Sequence, residues 1–201
     1  MSAKHYSQAI ALAWPETLCK CPNSWYDGLM EILGVSKNHY YKVGHAAIVL
    51  VDPLTQICHY FDFGRYHAPY GFGRVRNSFT DHELIIETKS LIDSNGQLLN
   101  INEILHELNS KSVWHGKGNL HAATLDIQFN KAYNKARKIQ ERTFIKYGPF
   151  IWNGTNCSRF VRTVLVAGAR SWQSKLLLKL PYTLTPTPIT NLNALQHYYQ
   201  L

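Results

Sequence analysis

Residues 152–161 read WNGTNCSRFV and place a cysteine, Cys157, at the start of a predicted helix. Asn156 stands directly before it, and asparagine is among the residues that most often cap a helix N-terminus. Apolar residues then recur at helical spacing, which predicts a helix from Cys157 to Gly168. The N–H groups and the dipole at such a helix end stabilise a thiolate and can donate to an oxyanion. Cys157 is therefore a candidate nucleophile; the alternative interpretation is a small buried residue that begins a core helix.

His45 is the candidate base for this cysteine, because a thiol nucleophile must pass its proton to a nearby group. It opens the apolar run of residues 43–51, which predicts a buried strand. Glycine and alanine neighbours leave space around its ring. The chain has ten histidines, and we expect most of the others on the surface.

A predicted hairpin supplies the third residue of the site. Residues 43–51 and 56–64 flank a turn that contains Pro53, and this pattern predicts two antiparallel strands. If the turn is centred directly after Pro53, His45 pairs with Asp62. A carboxylate in that position can orient the imidazole and stabilise its protonated form.

Two alternatives remain open for this pair. His59 has the opposite parity along its strand, so we expect it on the other face of the sheet and as the weaker partner of His45. His45 and Asp62 can also form an ordinary ion pair at a strand end without any catalytic role.

These features together resemble a known family. Gly44-His45 opens a strand, an acid follows on the next strand, and residues 156–161 read NCSRFV. This pattern resembles the circularly permuted branch of the NlpC-type, papain-like thiol hydrolases, which includes the lecithin:retinol acyltransferase-like proteins. In that branch the histidine strand precedes the cysteine helix, the reverse of ordinary papain-like chains. The resemblance covers about residues 40–65 and 150–168.

The resemblance implies a fold and a chemistry. The implied fold is α+β, a permuted papain-like (NlpC-type) domain in which helices pack on a central antiparallel sheet. The implied roles are nucleophile for Cys157, base for His45 and third polar residue for Asp62. The implied reaction is hydrolysis of an amide or ester, or acyl transfer, and no substrate follows from the resemblance.

An arginine-rich stretch follows the candidate acid. We predict a loop over residues 65–78, at the mouth of the site, and Asn156, which precedes Cys157, is also expected to contact the substrate. Guanidinium groups bind phosphate and carboxylate in a bidentate manner, so the loop is a candidate site for an anionic part of the substrate. The alternative is solvated charge, with one arginine paired to Asp62. The candidate substrate-binding residues of this loop are Arg65, Tyr66, Arg74 and Arg76.

The remaining sequence predicts one domain over residues 1–201, with an irregular N-terminal extension and an extended C-terminal tail. These segments comprise about residues 1–40 and about residues 171–201. Further predicted elements are a helix that starts at Ser24 and stops at Gly34, a strand over 83–89, a helix over 100–109, a strand over 119–127 and a helix over 129–144.

Composition excludes several classes of protein. With 201 residues, 45% of them apolar, and a net charge of +8, the chain can bury a sizeable core and differs from disordered chains. No run approaches the roughly 18 apolar residues of a membrane span. The apolar segment 9–14 is too short for a signal peptide, so we expect a cytoplasmic protein or export by a route that needs no signal peptide.

The four cysteines favour neither a disulfide scaffold nor a zinc site, because they lack paired C-x-x-C spacing. We expect no metal and no cofactor. Cys58 is expected to be a core residue, and the pair at 19 and 21 is a weak metal signal. These cysteines are Cys19, Cys21, Cys58 and Cys157.

The expected partner is an anionic or acyl-bearing substrate such as cell-wall peptide, lipid or protein, because the chain is basic. Two further function classes stay open. One is a non-catalytic binding module on the same fold. The other is a nucleic-acid-binding protein, which the sequence favours less because it contains no recognisable nucleic-acid-binding motif.

Overall fold

The computed structural model describes residues 6–20, 27–32, 36–38, 40–41, 44–114, 116–180, 183, 185–195 and 197–201. Its strands are β1 (Tyr6–Trp14), β2 (Cys19–Lys20), β3 (Ser36–Lys37), β4 (Tyr40–Tyr41), β5 (His45–Val51), β6 (Cys58–Gly64), β7 (Phe72–Arg76), β8 (His121–Gln128), β9 (Ile145–Lys146) and β10 (Tyr198–Gln200). Its α-helices are α1 (Asp27–Ile32), α2 (Ile101–Ser110), α3 (Phe129–Gln140), α4 (Cys157–Gly168), α5 (Trp172–Lys179) and α6 (Pro188–Leu192).

A seven-stranded sheet within the described ranges has the order β10-β8-β1-β5-β6-β7-β9, and each neighbouring pair is antiparallel. The strands β2, β4 and β3 form a second small sheet. This arrangement is the mixed α+β fold with an antiparallel sheet that the sequence predicts.

Both faces of the large sheet are covered. On one face α3 and α4 pack against the strands, with α5 and α6 beside them; on the other face α2 and the Trp114 side chain do so. Every residue of β5 is buried as a consequence, which explains its continuous apolar sequence. Among the described residues, none of the helices has the length and apolar character needed to cross a membrane.

The N-terminal segment differs from the predicted irregular start. Strand β1 (Tyr6–Trp14) lies in the middle of the large sheet, between β5 and β8. Residues 9–14 are all buried, so the short apolar run is a strand covered on both faces. The predicted single-domain organisation stays a prediction.

Two further regions differ from prediction. The third strand of the hairpin region is β7 (Phe72–Arg76), which lies inside the predicted loop, whereas residues 83–89 contain only a 3-10 turn at His82–Leu84. The loop prediction failed over Phe72–Arg76 because pairing with β6 stabilises this Gly- and Arg-rich segment as a strand. The C-terminal segment contains α5, α6 and the edge strand β10, so it is not simply extended.

Other predicted elements have the expected type with shifted ends. Residues 100–109 correspond to α2, 119–127 to β8, and the helix predicted over 129–144 ends at Gln140. Of the helix predicted near the N-terminus, α1 (Asp27–Ile32) is seen, while Ser24 and Gly34 lie outside the described residues, as does Cys21.

The β5–β6 hairpin has a register two residues away from the predicted one. Asp62 pairs with Ala47 and not with His45. Gln56 takes a left-handed conformation with φ 61° and lengthens the loop, so the centre of the turn lies one position beyond the one predicted at Pro53. A shift of two residues keeps every side chain on its predicted face, so His45 and Asp62 remain on the same side.

Candidate active site

Helix α4 begins at the candidate nucleophile, as the sequence predicts. The Asn156 side chain accepts a hydrogen bond of 2.8 Å from the backbone N–H of Arg159 and caps the helix. Cys157 occupies the first helical position and is only 5% exposed. Because α4 packs against β5, its start lies beside the strand that begins with His45.

His45 and Asp62 form a buried pair. The His45 Nε2 atom lies 3.3 Å from Asp62 Oδ2, although the two residues are diagonal neighbours in the ladder. Asp62 is fully buried. The predicted interaction is therefore present with the corrected register.

Asp62 is also held by three other side chains. Arg76 donates two hydrogen bonds to it, from Nε at 3.0 Å and from Nη2 at 2.7 Å. The hydroxyls of Tyr60 and Tyr66 donate to Oδ2 at 3.1 and 3.3 Å. Burial alone would raise the pKa of Asp62, but the hydrogen bonds from His45 and Arg76 and their charges lower it to about 2. Asp62 is thus a fixed carboxylate at neutral pH.

His45 and Cys157 are close enough for each side chain to shift the pKa of the other. Burial disfavours the imidazolium, but the hydrogen bonds with Asp62 and Cys157 outweigh it and raise the pKa of His45 to about 9. Burial likewise opposes the thiolate, yet the His45 hydrogen bond and charge, with the backbone N–H of Ala46, lower the pKa of Cys157. Both shifts favour the thiolate–imidazolium form of the pair over the neutral form.

Strand β1 supports the His45 ring from one side. The indole of Trp14 stacks on the imidazole with ring centroids 5.9 Å apart. Gly116 leaves room for that indole, since a Cβ there would meet Trp14 ring atoms at 2.1 Å. Gly44 has φ 74° and its added Cβ would meet the Trp14 carbonyl oxygen at 2.8 Å, so a side chain would not fit directly before His45.

The arginines of the predicted substrate loop separate in the structure. Arg76 is buried against Asp62, and Arg74 pairs with Asp81 through two hydrogen bonds of 2.7 and 2.6 Å. Carboxylates of the chain itself therefore occupy both guanidinium groups. Arg65 lies over the ring of Tyr147, with 5.0 Å between the guanidinium carbon and the ring centroid.

Tyr66 lies in the site, and its role differs from that of the arginines. Its hydroxyl is 3.5 Å from His45 Nε2 and 3.3 Å from Asp62 Oδ2. The Arg76 guanidinium stacks on its ring at 3.5 Å. Tyr66 thus connects the loop to the pair that supports the imidazole.

His59 lies away from the site. It pairs with Leu50 in the ladder and contacts the rings of Phe129 and Tyr133 on α3. Burial lowers the pKa of His59, with a smaller opposing effect of Asp52. Its position agrees with the predicted opposite parity.

The other described cysteines are poor nucleophiles at neutral pH. Burial raises the pKa of Cys58 to about 12, and burial together with the charge of Cys157 raises the pKa of Cys19 to about 12. The Cys19 thiol donates to the Gly44 carbonyl oxygen at 3.3 Å, so it lies close to the start of β5. No group of His, Cys, Asp and Glu within the described ranges could hold a metal ion.

Several contributing residues escaped the sequence analysis. Trp14 was overlooked because its apolar segment was not recognised as a strand, although a run of six buried-type residues is a signal for one. Arg76 was assigned to the substrate because only the β6–β7 register shows that it faces Asp62. The parity of Tyr60 and Asp62 along one strand could have indicated their contact.

The chain also matches known proteins. A family model described as type VI secretion system effector TseH-like matches residues 9–174. A crystal structure of the type VI secretion system effector TseH superposes with a TM-score of 0.58 at 17% sequence identity. That match covers 99% of this chain and 93% of the other, and it shows a shared fold. No curated protein matches the sequence significantly.

Proposed function

Because the chain belongs to the TseH-like family of type VI secretion system effectors, we propose that it is a cysteine hydrolase that cleaves an amide or ester bond. The observation that carries the proposal is the buried His45–Asp62 pair, together with the influence of His45, which lowers the pKa of Cys157 at the start of α4. A thiolate, an imidazolium and a fixed carboxylate in this order are the groups that acyl chemistry by cysteine requires. We assign the catalytic roles to these three residues.

The acylation step follows from the geometry. The Cys157 thiolate attacks the acyl carbon, a C–S bond forms, and the carbonyl electrons move to the oxygen. N–H groups at the start of α4 donate to that oxyanion. When the intermediate collapses, the bond to the leaving nitrogen or oxygen breaks and His45 gives its proton to that atom.

Deacylation restores the starting state. Water attacks the thioester carbon while His45 accepts one of its protons, and the C–S bond breaks to release a carboxylic acid. Asp62 remains ionised throughout and keeps the imidazole oriented. An amine or alcohol in place of water would give acyl transfer, so we propose hydrolysis as the main reaction and transfer as its competitor.

We further propose a permuted papain-like arrangement for this fold. Support comes from the chain order, in which the histidine strand β5 precedes the cysteine helix α4. The shared fold with TseH agrees with this proposal. Membership of a secreted effector family also fits export by a route that needs no signal peptide.

We assign an anionic part of the substrate to Arg65, because it follows the candidate site directly in the chain and its guanidinium group lies over the ring of Tyr147. Arg74 and Arg76 are already bound to Asp81 and Asp62, which leaves them a positioning role. The variant Arg65→Gln should raise KM in a salt-sensitive manner and leave alkylation of Cys157 by a small neutral reagent unchanged. If the rate of Cys157 alkylation falls while KM rises, Arg65 supports the site and does not bind substrate.

The experiment that tests the function uses three substrate classes and also detects the acylated protein. The protein is incubated with purified cell-wall peptide, phospholipid or protein, and new amine, alcohol or fatty-acid products are measured. We expect products from one class with the native protein and none with Cys157→Ala. Mass spectrometry should detect the 201-residue protein with its mass increased by one acyl group, and hydroxylamine should remove this adduct. Product formation by Cys157→Ala would refute the proposal.

A further inference from the structure

A cationic cleft lies on the far side of α4 from the candidate active site. It has a volume of about 440 Å³, within the range typical of small-ligand sites. Its lining comes from α3, α4, α5 and the segment that precedes α6. With 3.6 residues per turn, the α4 residues that line it point away from the side occupied by Cys157.

Four positively charged side chains converge on this cleft, and its described lining contains no carboxylate. Within the part of the chain that the structure describes, no ion pair joins Lys135, Arg159 or Lys179 to an acid. The fourth cation is Arg162. Like charges in one cleft repel one another, and an anion that binds among them relieves this repulsion.

Neutral acceptors hold the two guanidinium groups in place. Arg162 Nε donates to the Asn191 side-chain oxygen at 2.9 Å, and the buried Asn191 in turn donates to the Ser158 carbonyl oxygen at 2.9 Å. Arg159 donates to the Pro149 carbonyl oxygen at 3.0 Å. These bonds fix the position of both groups.

We infer that this cleft binds a phosphate group. A single carboxylate carries one charge, whereas a phosphate monoester carries about two at neutral pH and matches the planar guanidinium group. The site is separate from the proposed catalytic one, so binding does not require Cys157.

The phosphate can come from a soluble molecule or from a phospholipid headgroup. Helix α5 makes the second source worth testing, because Trp172 and Leu176 are 69% and 51% exposed and stand at i and i+4 beside Lys179 at i+7. Apolar side chains next to basic ones are typical of surfaces that rest on anionic membranes.

The test compares two double variants with the same loss of charge. In Lys135→Gln/Lys179→Gln both changes lie in the cleft, whereas in Lys131→Gln/Lys138→Gln both lie on exposed parts of α3 outside it. Binding of inorganic tripolyphosphate is measured by calorimetry. Binding to vesicles of phosphatidylcholine, with and without phosphatidylglycerol, is measured by sedimentation.

We expect the native protein and Cys157→Ala to bind at least one of the two anionic probes and not the neutral vesicles. The cleft variant should bind roughly 100-fold more weakly, since each of the two lost charged contacts contributes about a factor of ten, and the control variant should change little. Tripolyphosphate binding alone assigns a soluble ligand, and binding to anionic vesicles assigns a lipid headgroup.

Two results would overturn the inference. One is the absence of binding to both anionic probes, and the other is an equal loss in the two double variants, which would reflect only the net charge of +8. The single variant Lys179→Gln, at an exposed position, repeats the comparison if the double variant fails to fold. Circular dichroism of each variant shows whether it has folded.

Discussion

Arg76 donates two hydrogen bonds to Asp62, with Nε–Oδ1 and Nη2–Oδ2 distances of 3.0 and 2.7 Å. The arginine side chain is 3% exposed and the carboxylate is fully buried. The strand β7 therefore contributes a cation that, together with His45, keeps the acid of the site ionised. This pairing connects the arginine-rich segment to the catalytic groups through the protein itself.

Loss of this arginine should destabilise the fold. In Arg76→Gln the buried carboxylate keeps His45 but loses its guanidinium partner, and removal of one member of a buried pair costs about 3 to 5 kcal/mol. Urea unfolding measures the change. Lys111→Gln is the control, because Lys111 pairs with Glu87 and Glu107 near the surface and should contribute less than about 1 kcal/mol. Equal losses of unfolding free energy in the two variants would show that the buried pair contributes no more than the surface pair.

Asp62 should also make stability depend on acid pH. Its pKa is lowered from 3.8 to about 2 in the folded state, so its contribution is present above pH 3.8 and is lost as the pH falls toward 2. The free energy of unfolding of Asp62→Asn should therefore fall less steeply over this window than that of the native protein. Glu107, whose pKa is lowered from 4.5 to about 2, acts in the same window and remains in both proteins. Parallel slopes for the two proteins would contradict the ionised state assigned to Asp62.

The choice between the two candidate partners of His45 can be measured as turnover. Asp62→Asn should reduce kcat roughly 100-fold or more, because the imidazole loses the carboxylate that orients it. His59→Gln should keep near-native kcat, since its ring packs against Phe129 and Tyr133 on the other face of the sheet. The reverse ranking would show that His59, not Asp62, supports the base.

A glycine far along the chain should also affect turnover. In Gly116→Ala the new Cβ would meet the Trp14 ring at 2.1 Å, so the indole must move away from the His45 ring on which it stacks. We expect kcat to fall about tenfold while the protein stays folded. Gly28→Ala is the control, because nothing lies within 4 Å of its added Cβ. Native turnover by Gly116→Ala would mean that Trp14 does not position the base.

Local sequence signals predicted the parts of the site that depend on one element. The N-cap and spacing around Cys157 predicted α4 with both of its ends, and parity along β6 placed Asp62 and His59 on the correct faces. Parity survives a register error of two residues, which is why the pair was found although the hairpin register was wrong.

Two strands depend on pairing with distant segments, and the sequence could not show that pairing. The segment β7 is rich in glycine and arginine and has no strand signal of its own, yet it forms a strand because β6 supplies a partner. The run 9–14 looks like any short apolar segment until β5 and β8 flank it. The roles of Arg76 and Trp14 depend on these pairings and were missed for that reason.

If His45 stabilises the thiolate of Cys157, the pH dependence of Cys157 alkylation should show it. The rate of iodoacetamide labelling at each cysteine is followed by mass spectrometry from pH 5 to 10, a range chosen around the ordinary thiol pKa of 9.0. We expect Cys157 to react with a midpoint below 9.0 and before Cys19 and Cys58, whose pKa is raised to about 12. His45→Gln should move that midpoint above 9.0, and His59→Gln should leave it in place. An unchanged midpoint in His45→Gln, or equal labelling of the three cysteines at neutral pH, would contradict the account.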